Sequence, residues 1–310
     1  MDIKNVCNAQ FLQLDNRIQN ISFVKGVEIL PSLTAWQNYP WCRKYFSHKP
    51  RGGYFIWVKG KISFPLVTCV SLTTKNVFQN LTNLIIIEKN LDVTTKGICN
   101  SLANNLSGTH IATGKIMLKE GARLNYLHWH KWSHSDIVQS NYEFIGEKNS
   151  KLLYSYQNLF SPSRLSLKTN VAVEKKAQAR LEIVIKGKRS KINLEESINL
   201  QGKDAQGAVY LKLAGEKGSD ITGISRIYAT APSKGHLDCQ GLVIDKGTTI
   251  SLVPQLVCSH KQALVTHEAS IGRINEDQLL YLRSRGLNQK EATELIVDGF
   301  LKKKSGPEEN

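Results

Sequence analysis

The chain has 310 residues, 41% of them hydrophobic and 22% charged, with a formal net charge of +15. It therefore reads as a basic globular protein, one large domain with appendages, long enough to bury a sizeable core. The charge favours phosphate-bearing or acidic partners and leaves nucleic-acid binding open, but it carries no information about fold. There is no run of eighteen apolar residues, and the start MDIKNVCNAQFLQLDNR lacks the apolar segment and cleavage site of a secretory signal, so the expectation is a soluble, cytoplasmic protein. Six cysteines, Cys7, Cys42, Cys69, Cys99, Cys239 and Cys258, include no CxxC pair, which argues against a disulfide framework. Each reads first as a small buried hydrophobe, and only Cys239 stands out from that background.

In chain order, residues 1–53 form an N-terminal region expected to be partly helical. A helix-like start is followed by the aromatic, basic stretch AWQNYPWCRKYFSHKPRGG, which suits covering an end of the core better than stacking on bases. From 54 to 270 short strand-like runs dominate, among them YFIWVKG, LIIIEKN, KIMLKEG, LEIVIKG, AVYLKLAG and LVIDKG, each ended by a charged or glycine-containing turn. The turns recur in register at Gly121, Asn149, Ala177 and Ala205, a step of 28 residues. That step is too long for a hairpin and too short for a strand–helix–strand unit. It predicts a parallel β-helix in which each rung stacks on its neighbour. A β-sandwich is the competitor, but it calls for turn signals every eight to twelve residues and hairpin dipeptides such as Asn-Gly, which are scarce here.

After Glu268 the hydrophobic period changes from two to about 3.6. INEDQLLYLRSRG and NQKEATELIVDGFL predict two helices over 271–303, with Asn275 and Asn288 as N-caps, Gln278 and Glu291 three residues on in capping-box positions, and Gly286 in the turn between them. The apolar set Leu279, Leu280, Leu282, Ala292, Leu295, Ile296 and Phe300 is more than one hairpin can bury by itself. It has to cover either the end of the solenoid or another protein. Residues 304–310 are expected to be a disordered tail.

Three constellations bear on chemistry. HWHKWSH sets His128 and His130 at strand spacing on one face, with His134 beyond a turn. Apart from Asp136 no acidic residue or cysteine in the segment completes a metal site, so half-exposed strand positions beside Trp129 and Trp132 are the favoured reading. GTHIATGKI is not a phosphate loop, because five residues separate Gly108 from Gly114 and Ile116 stands where Ser or Thr is required. No GxSxG or HExxH occurs either, which points away from an enzyme acting unaided. GHLDC, PQLVCSH and THEAS bring together Cys239, Cys258, His260, His267 and Glu268. Cys239 and His267 are one repeat apart, so they are expected on adjacent rungs, thiolate with imidazole and carboxylate, as befits a metal or cluster that must be handed on. Two core-facing neighbours without ligand function are the alternative.

GTHIATGKIMLKEGARLNYLHWHKWS, GHLDCQGLVIDKG and, most specifically, HEASIGRINEDQLLYLRSRGLNQKEATELIVDGF resemble the SufB/SufD family of iron–sulfur cluster assembly scaffolds from near Gly53 to Leu301. The first fifty residues match nothing in that family. The resemblance implies a mainly β fold: a right-handed parallel β-helix core with an N-terminal extension and a C-terminal helical hairpin. It implies a scaffold, not an enzyme, that pairs through its β-helix as a homodimer or with a related subunit. A SufC-type ABC ATPase would bind at the hairpin, at Leu279, Leu282, Arg283, Arg285, Gly286, Leu295 and Phe300. A transient Fe–S cluster would be held by Cys239, His267 and Glu268, and in some family assemblies a flavin takes part. Thr266 stands where some members carry a further acidic residue, the cysteine cluster of many bacterial SufB N-terminal regions is absent, and the RSRG turn is SufD-like. A homodimer serving both roles is the expectation. A SufD-like partner without a cluster, or a basic β-helix binding nucleic acid or polysaccharide, are the alternatives.

Overall fold

The computed structural model describes residues 9–302. Cys7 and the tail expected at 304–310 lie outside the described residues. The backbone coils into two facing sheets. One sheet runs β2 (Arg17–Ile21), β1 (Phe11–Leu14), β5 (Leu66–Leu72), β7 (Asp92–Ser101), β9 (Arg123–Lys131), β11 (Lys151–Phe160), β13 (Gln178–Lys188), β15 (Ala205–Glu216), β17 (Ser233–Val243), β19 (Leu264–Arg273). The other runs β3 (Val27–Pro31), β4 (Tyr54–Val58), β6 (Phe78–Ile87), β8 (Thr109–Leu118), β10 (Ile137–Gly146), β12 (Arg164–Val173), β14 (Lys191–Leu200), β16 (Asp220–Ala229), β18 (Thr249–Cys258). From β4 onward successive strands alternate between the sheets and every pairing is parallel, which makes a parallel β-solenoid of about 8 turns. Only β1 with β2 and β3 with β4, at the N-terminal edges, pair antiparallel among the described residues.

Period-two sequence produces this coil. In RLNYLHWHK of β9, Leu124, Tyr126, His128 and His130 face inward and are buried, while the alternate residues face out and are partly exposed. The inward residues of both sheets merge into one core running from Phe11 to Ile250. The 28-residue step is the rung height: Arg123 pairs with Lys151, Lys151 with Gln178 and Gln178 with Gln206. The corners stack as well. Asn90, Gly121, Asn149, Lys176 and Asp204 each adopt positive φ, one per turn of the coil. Their N–H groups reach the next corner in sequence, as in Gly121 to Lys148 O and Asn149 to Lys175 O, both 3.0 Å. Corner polar groups are thereby satisfied from rung to rung.

The N-terminal region departs from expectation. The helix-like start is strand where it is described, because Phe11–Leu14 finds a free edge at β5, and edge pairing outweighs local propensity. The helical part is α1 (Ser32–Asn38) followed by a 3₁₀ turn, Pro40–Tyr45. Ala35, Cys42 and Phe46 then cover Phe55, Leu84, Ile86 and Met117 on the outer face of the β4, β6 and β8 sheet, which is a flank of the coil and not its end.

The two C-terminal helices are α2 (Glu276–Ser284) and α3 (Gln289–Leu301). Asn275 accepts from the N–H groups of Asp277 and Gln278, and Asn288 with Glu291 closes a full capping box. Gly286 turns the chain at φ 97°. The hairpin does not cap the solenoid end. Val297 and Leu301 of α3 pack on Val184, Ala214 and Leu242, the outward residues of β13, β15 and β17. Lys212 of β15 donates to the carbonyls of Phe300 (2.8 Å) and Lys302 (2.6 Å), capping α3 with a positive charge where its dipole is negative. Among the described residues, the last rung, β18 and β19, has neither a further strand nor a helix over it.

Candidate functional site

Cys239 lies on the inward face of β17, 1% exposed, between Leu211 of β15 and Ala269 of β19. Burial pushes its thiol up to about 11, partly countered by a hydrogen bond with the Ser225 hydroxyl from the facing sheet. Ser225 Oγ in turn donates to Glu196 Oε2 at 3.0 Å. Glu196 is fully enclosed on the inward face of β14, and burial pushes its carboxyl up to about 8, so it carries a proton at neutral pH. Thiol, hydroxyl and carboxyl thus meet across the coil one rung below its open end. Sequence reasoning missed Ser225 and Glu196, which belong to the facing sheet. The available signal was the alternation Ile192, Leu194, Glu196, Ile198, which sets the carboxylate on the core side of its strand.

The expected stack of Cys239, His267 and Glu268 takes a different form. Between β17 and β19 the step is 30 residues, so Ala269 lies over Cys239 and His267 over Leu237. His267 still shares the inward face with Cys239, diagonally across two rungs, and is exposed because nothing follows it. Glu268 alternates to the outer face, opposite Asp238. Asp238 there accepts from Gln240 Nε2 at 2.9 Å, and His236 Nδ1 and Thr266 Oγ1 lie 2.8 Å apart on the same outer face. Cys258 ends β18, exposed, its Sγ directed at the His260 carbonyl at 3.4 Å.

On the hairpin, Leu279, Leu282 and Phe300 are half-buried, Arg283, Arg285, Gly286 and Leu295 are exposed, and Phe300 lies beneath Lys212 as part of the anchor. Leu280, Tyr281 and Leu295, at 59%, 58% and 53%, leave an apolar face towards solvent. His128 and His130 are fully buried inside the coil and not half-exposed, whereas His134 is exposed at the corner. Asp136 is committed to that corner, accepting from the N–H groups of Ser133 (2.8 Å) and Gly108 (3.0 Å).

A coil of two parallel sheets with thiol, imidazole and carboxyl groups at its open end places the chain among the parallel β-solenoid proteins. Residues 70–300 match the model of the SUF system FeS cluster assembly, SufBD core domain. An iron-sulfur cluster assembly SufBD family protein of Archaeoglobus fulgidus is 28% identical over 96% of this chain and 85% of its own length. One from Pyrococcus horikoshii is 30% identical over 89% and 67%, and the iron-sulfur cluster assembly protein SufB of Bacillus subtilis is 25% identical over 81% and 55%. The chain belongs to the SufBD family of iron–sulfur cluster assembly proteins. No helix among the described residues is long and apolar enough to cross a membrane.

Proposed function

We propose that this chain is the scaffold subunit of a SUF-type assembly system, receiving iron and sulfide and holding a nascent cluster at a subunit interface. The observation that carries the reading is the place of Cys239: the thiol is one rung inside an uncovered solenoid end, and His267 is on that end. The ten-residue edges of β18 and β19 carry backbone groups with no further strand to pair with, and Val257, Leu264 and Ile271 beside them are exposed apolar residues. A second scaffold subunit, in the first instance a second copy about a two-fold axis, would cover this end and enclose Cys239 and His267. Glu268, on the outer face, would join them as a ligand from the rim. Thiolate is the strong donor for iron and sulfide, and imidazole and carboxylate are the exchangeable ones.

The hairpin would bind a SufC-type ATPase through Leu279, Leu282, Arg283, Arg285, Gly286 and Leu295, with Phe300 holding α3 to the sheet. Its exposed apolar face, its two guanidinium groups and its anchorage on three strands suit transmission of movement from a partner to the solenoid. ATP hydrolysis by that partner would open the paired ends and release the cargo.

Anaerobic reconstitution with ferrous iron and sulfide tests the assignment. Wild-type protein is expected to hold labile sulfide and Cys239→Ser to lose most of it. Equal labile sulfide in the two proteins overturns the site. The outward position of Glu268 favours a second reading, a SufD-like partner that binds the ATPase without a cluster. Under that reading wild type holds no labile sulfide, while an ATPase pull-down survives Cys239→Ser.

A further inference from the structure

A second set of ligand-type side chains lies inside the same coil, near its N-terminal end. Cys99 of β7 pairs in register with His130 of β9, and Gly97 pairs with His128. Gly97 is what lets the groups meet: a Cβ there would stand 2.8 Å from Tyr126 Oη and 3.0 Å from His128 Cδ2, so only glycine leaves the imidazole room beside Cys99. Cys99 Sγ is 3.8 Å from His128 Nε2, which is 2.9 Å from His130 Nε2, and all three ligand atoms lie within 4.8 Å of one another. A tetrahedral ion with bonds of about 2.0–2.1 Å to nitrogen and 2.3 Å to sulfur holds such atoms about 3.3–3.6 Å apart. Adjustments of a few tenths of an ångström suffice.

The surroundings are those of a ligand set and not of a chance cluster. The other ring nitrogens are held by hydroxyls of the next rung, His128 Nδ1 by Tyr154 at 3.0 Å and His130 Nδ1 by Tyr156 at 2.9 Å. Burial keeps the imidazoles neutral, the form that ligates, and holds His128 down to about 3. Asn158, in register with His130, is completely buried with both side-chain amide atoms unpartnered among the described residues, as is His110 Nε2. Polar groups of this kind are expensive to bury unless they serve something.

We propose that Cys99, His128 and His130 form a buried site for one divalent transition-metal ion of the zinc or ferrous type, distinct from the cluster site at Cys239. Without the ion, Trp132 Nε1 donates to His130 Nδ1 at 3.2 Å. The His130 proton is therefore on Nε2, where it is donated to His128 Nε2, and His128 keeps its own on Nδ1 facing Tyr154. Ion binding releases the single Cys99 thiol proton to solvent. His130 changes tautomer, its Nδ1–H then donating to Tyr156 in place of the Trp132 contact. Donor softness selects zinc or ferrous iron over magnesium or calcium.

The test uses the full chain produced with zinc or with iron in the medium, exchanged into chelator, its metals counted, and its cobalt-substituted form read by absorption. About one ion per chain is expected to survive, with a thiolate-to-cobalt charge-transfer band, in wild type and equally in Cys239→Ser. Cys99→Ala and His128→Gln are expected to lose at least tenfold, scored only where circular dichroism matches wild type. Tyr156→Phe, with all ligands intact, should weaken retention about 10- to 100-fold. Retention in only one of the two media names the ion. If the ligand variants do not fold, X-ray absorption of the wild-type metal centre decides: one sulfur and two imidazole donors support the site, and another donor set overturns it. Folded wild type without stoichiometric metal, or a charge-transfer band lost in Cys239→Ser and kept in Cys99→Ala, also overturns it.

Discussion

Glu196 is a carboxyl group enclosed in an apolar coil, with one hydrogen-bond donor from Ser225 and an Oε1 that has no partner among the described residues. Its raised pKa means that the native chain keeps a proton which the unfolded chain gives up above about pH 4.5. Stability therefore falls as pH rises from about 4.5 to about 8, and the group costs about 3 kcal/mol at pH 7. Glu196→Gln keeps the shape and the acceptor for Ser225 but cannot ionise. We expect it to be about as stable as wild type at pH 4.5, more stable by about 3 kcal/mol at pH 7, and nearly free of this slope. Urea unfolding at several pH values measures it, and parallel pH profiles for the two proteins would sink the idea. At this scale the sequence shows which face a residue occupies: Tyr126, His128 and His130 share one by alternation, and so do Ile192, Leu194 and Glu196. What lies across from them belongs to the other sheet, and no spacing along the chain encodes it.

Among the elements, the C-terminal helices were the most legible, because a 3.6 period, two Asn caps and Gly286 all agree and each acts within a few residues. Their destination was not legible. Exposed and buried apolar residues on the hairpin look alike in sequence, and only the fold shows that Val297 and Leu301 are used on β13, β15 and β17 while Leu280, Tyr281 and Leu295 are left over. Val297 is therefore the attachment point. Val297→Ala should cost about 2 kcal/mol locally, raising hydrogen exchange through α3 while β13 to β17 stay protected. An equal loss of protection in the solenoid would mean that hairpin and coil unfold as one unit. At the other end, Phe11–Leu14 shows the reverse case: a segment with helix-like residues becomes strand because a sheet edge is available.

At the scale of the whole molecule, each rung contacts chiefly its neighbours, so an uncovered last rung is a defect that a partner can repair. Capping repeats are normally polar, yet β19 presents Leu264 and Ile271, 65% and 48% exposed, beside His267. If two copies pair there, one lysine is placed twice in a symmetric interface. Ile271→Lys is then expected to shift a dimer towards monomer by at least tenfold in dissociation constant, as read by analytical ultracentrifugation, with solenoid stability nearly unchanged. A wild-type protein that stays monomeric at high micromolar concentration would contradict pairing of identical subunits.

What the sequence by itself determined is periodic: strand alternation of two, a rung of about 28 residues, and helices of period 3.6 with their caps. These are local or repeating, and the chain cannot satisfy its backbone and core without obeying them. The tertiary structure decided everything that depends on how much chain each corner consumes. A corner two residues longer sets Ala269, and not His267, over Cys239. Rung register brings Cys99, which sequence offered only as a small hydrophobe, beside His128 and His130. Facing sheets bring Ser225 and Glu196 to Cys239. Turn length sets register, register sets which side chains meet, and only the folded coil measures it.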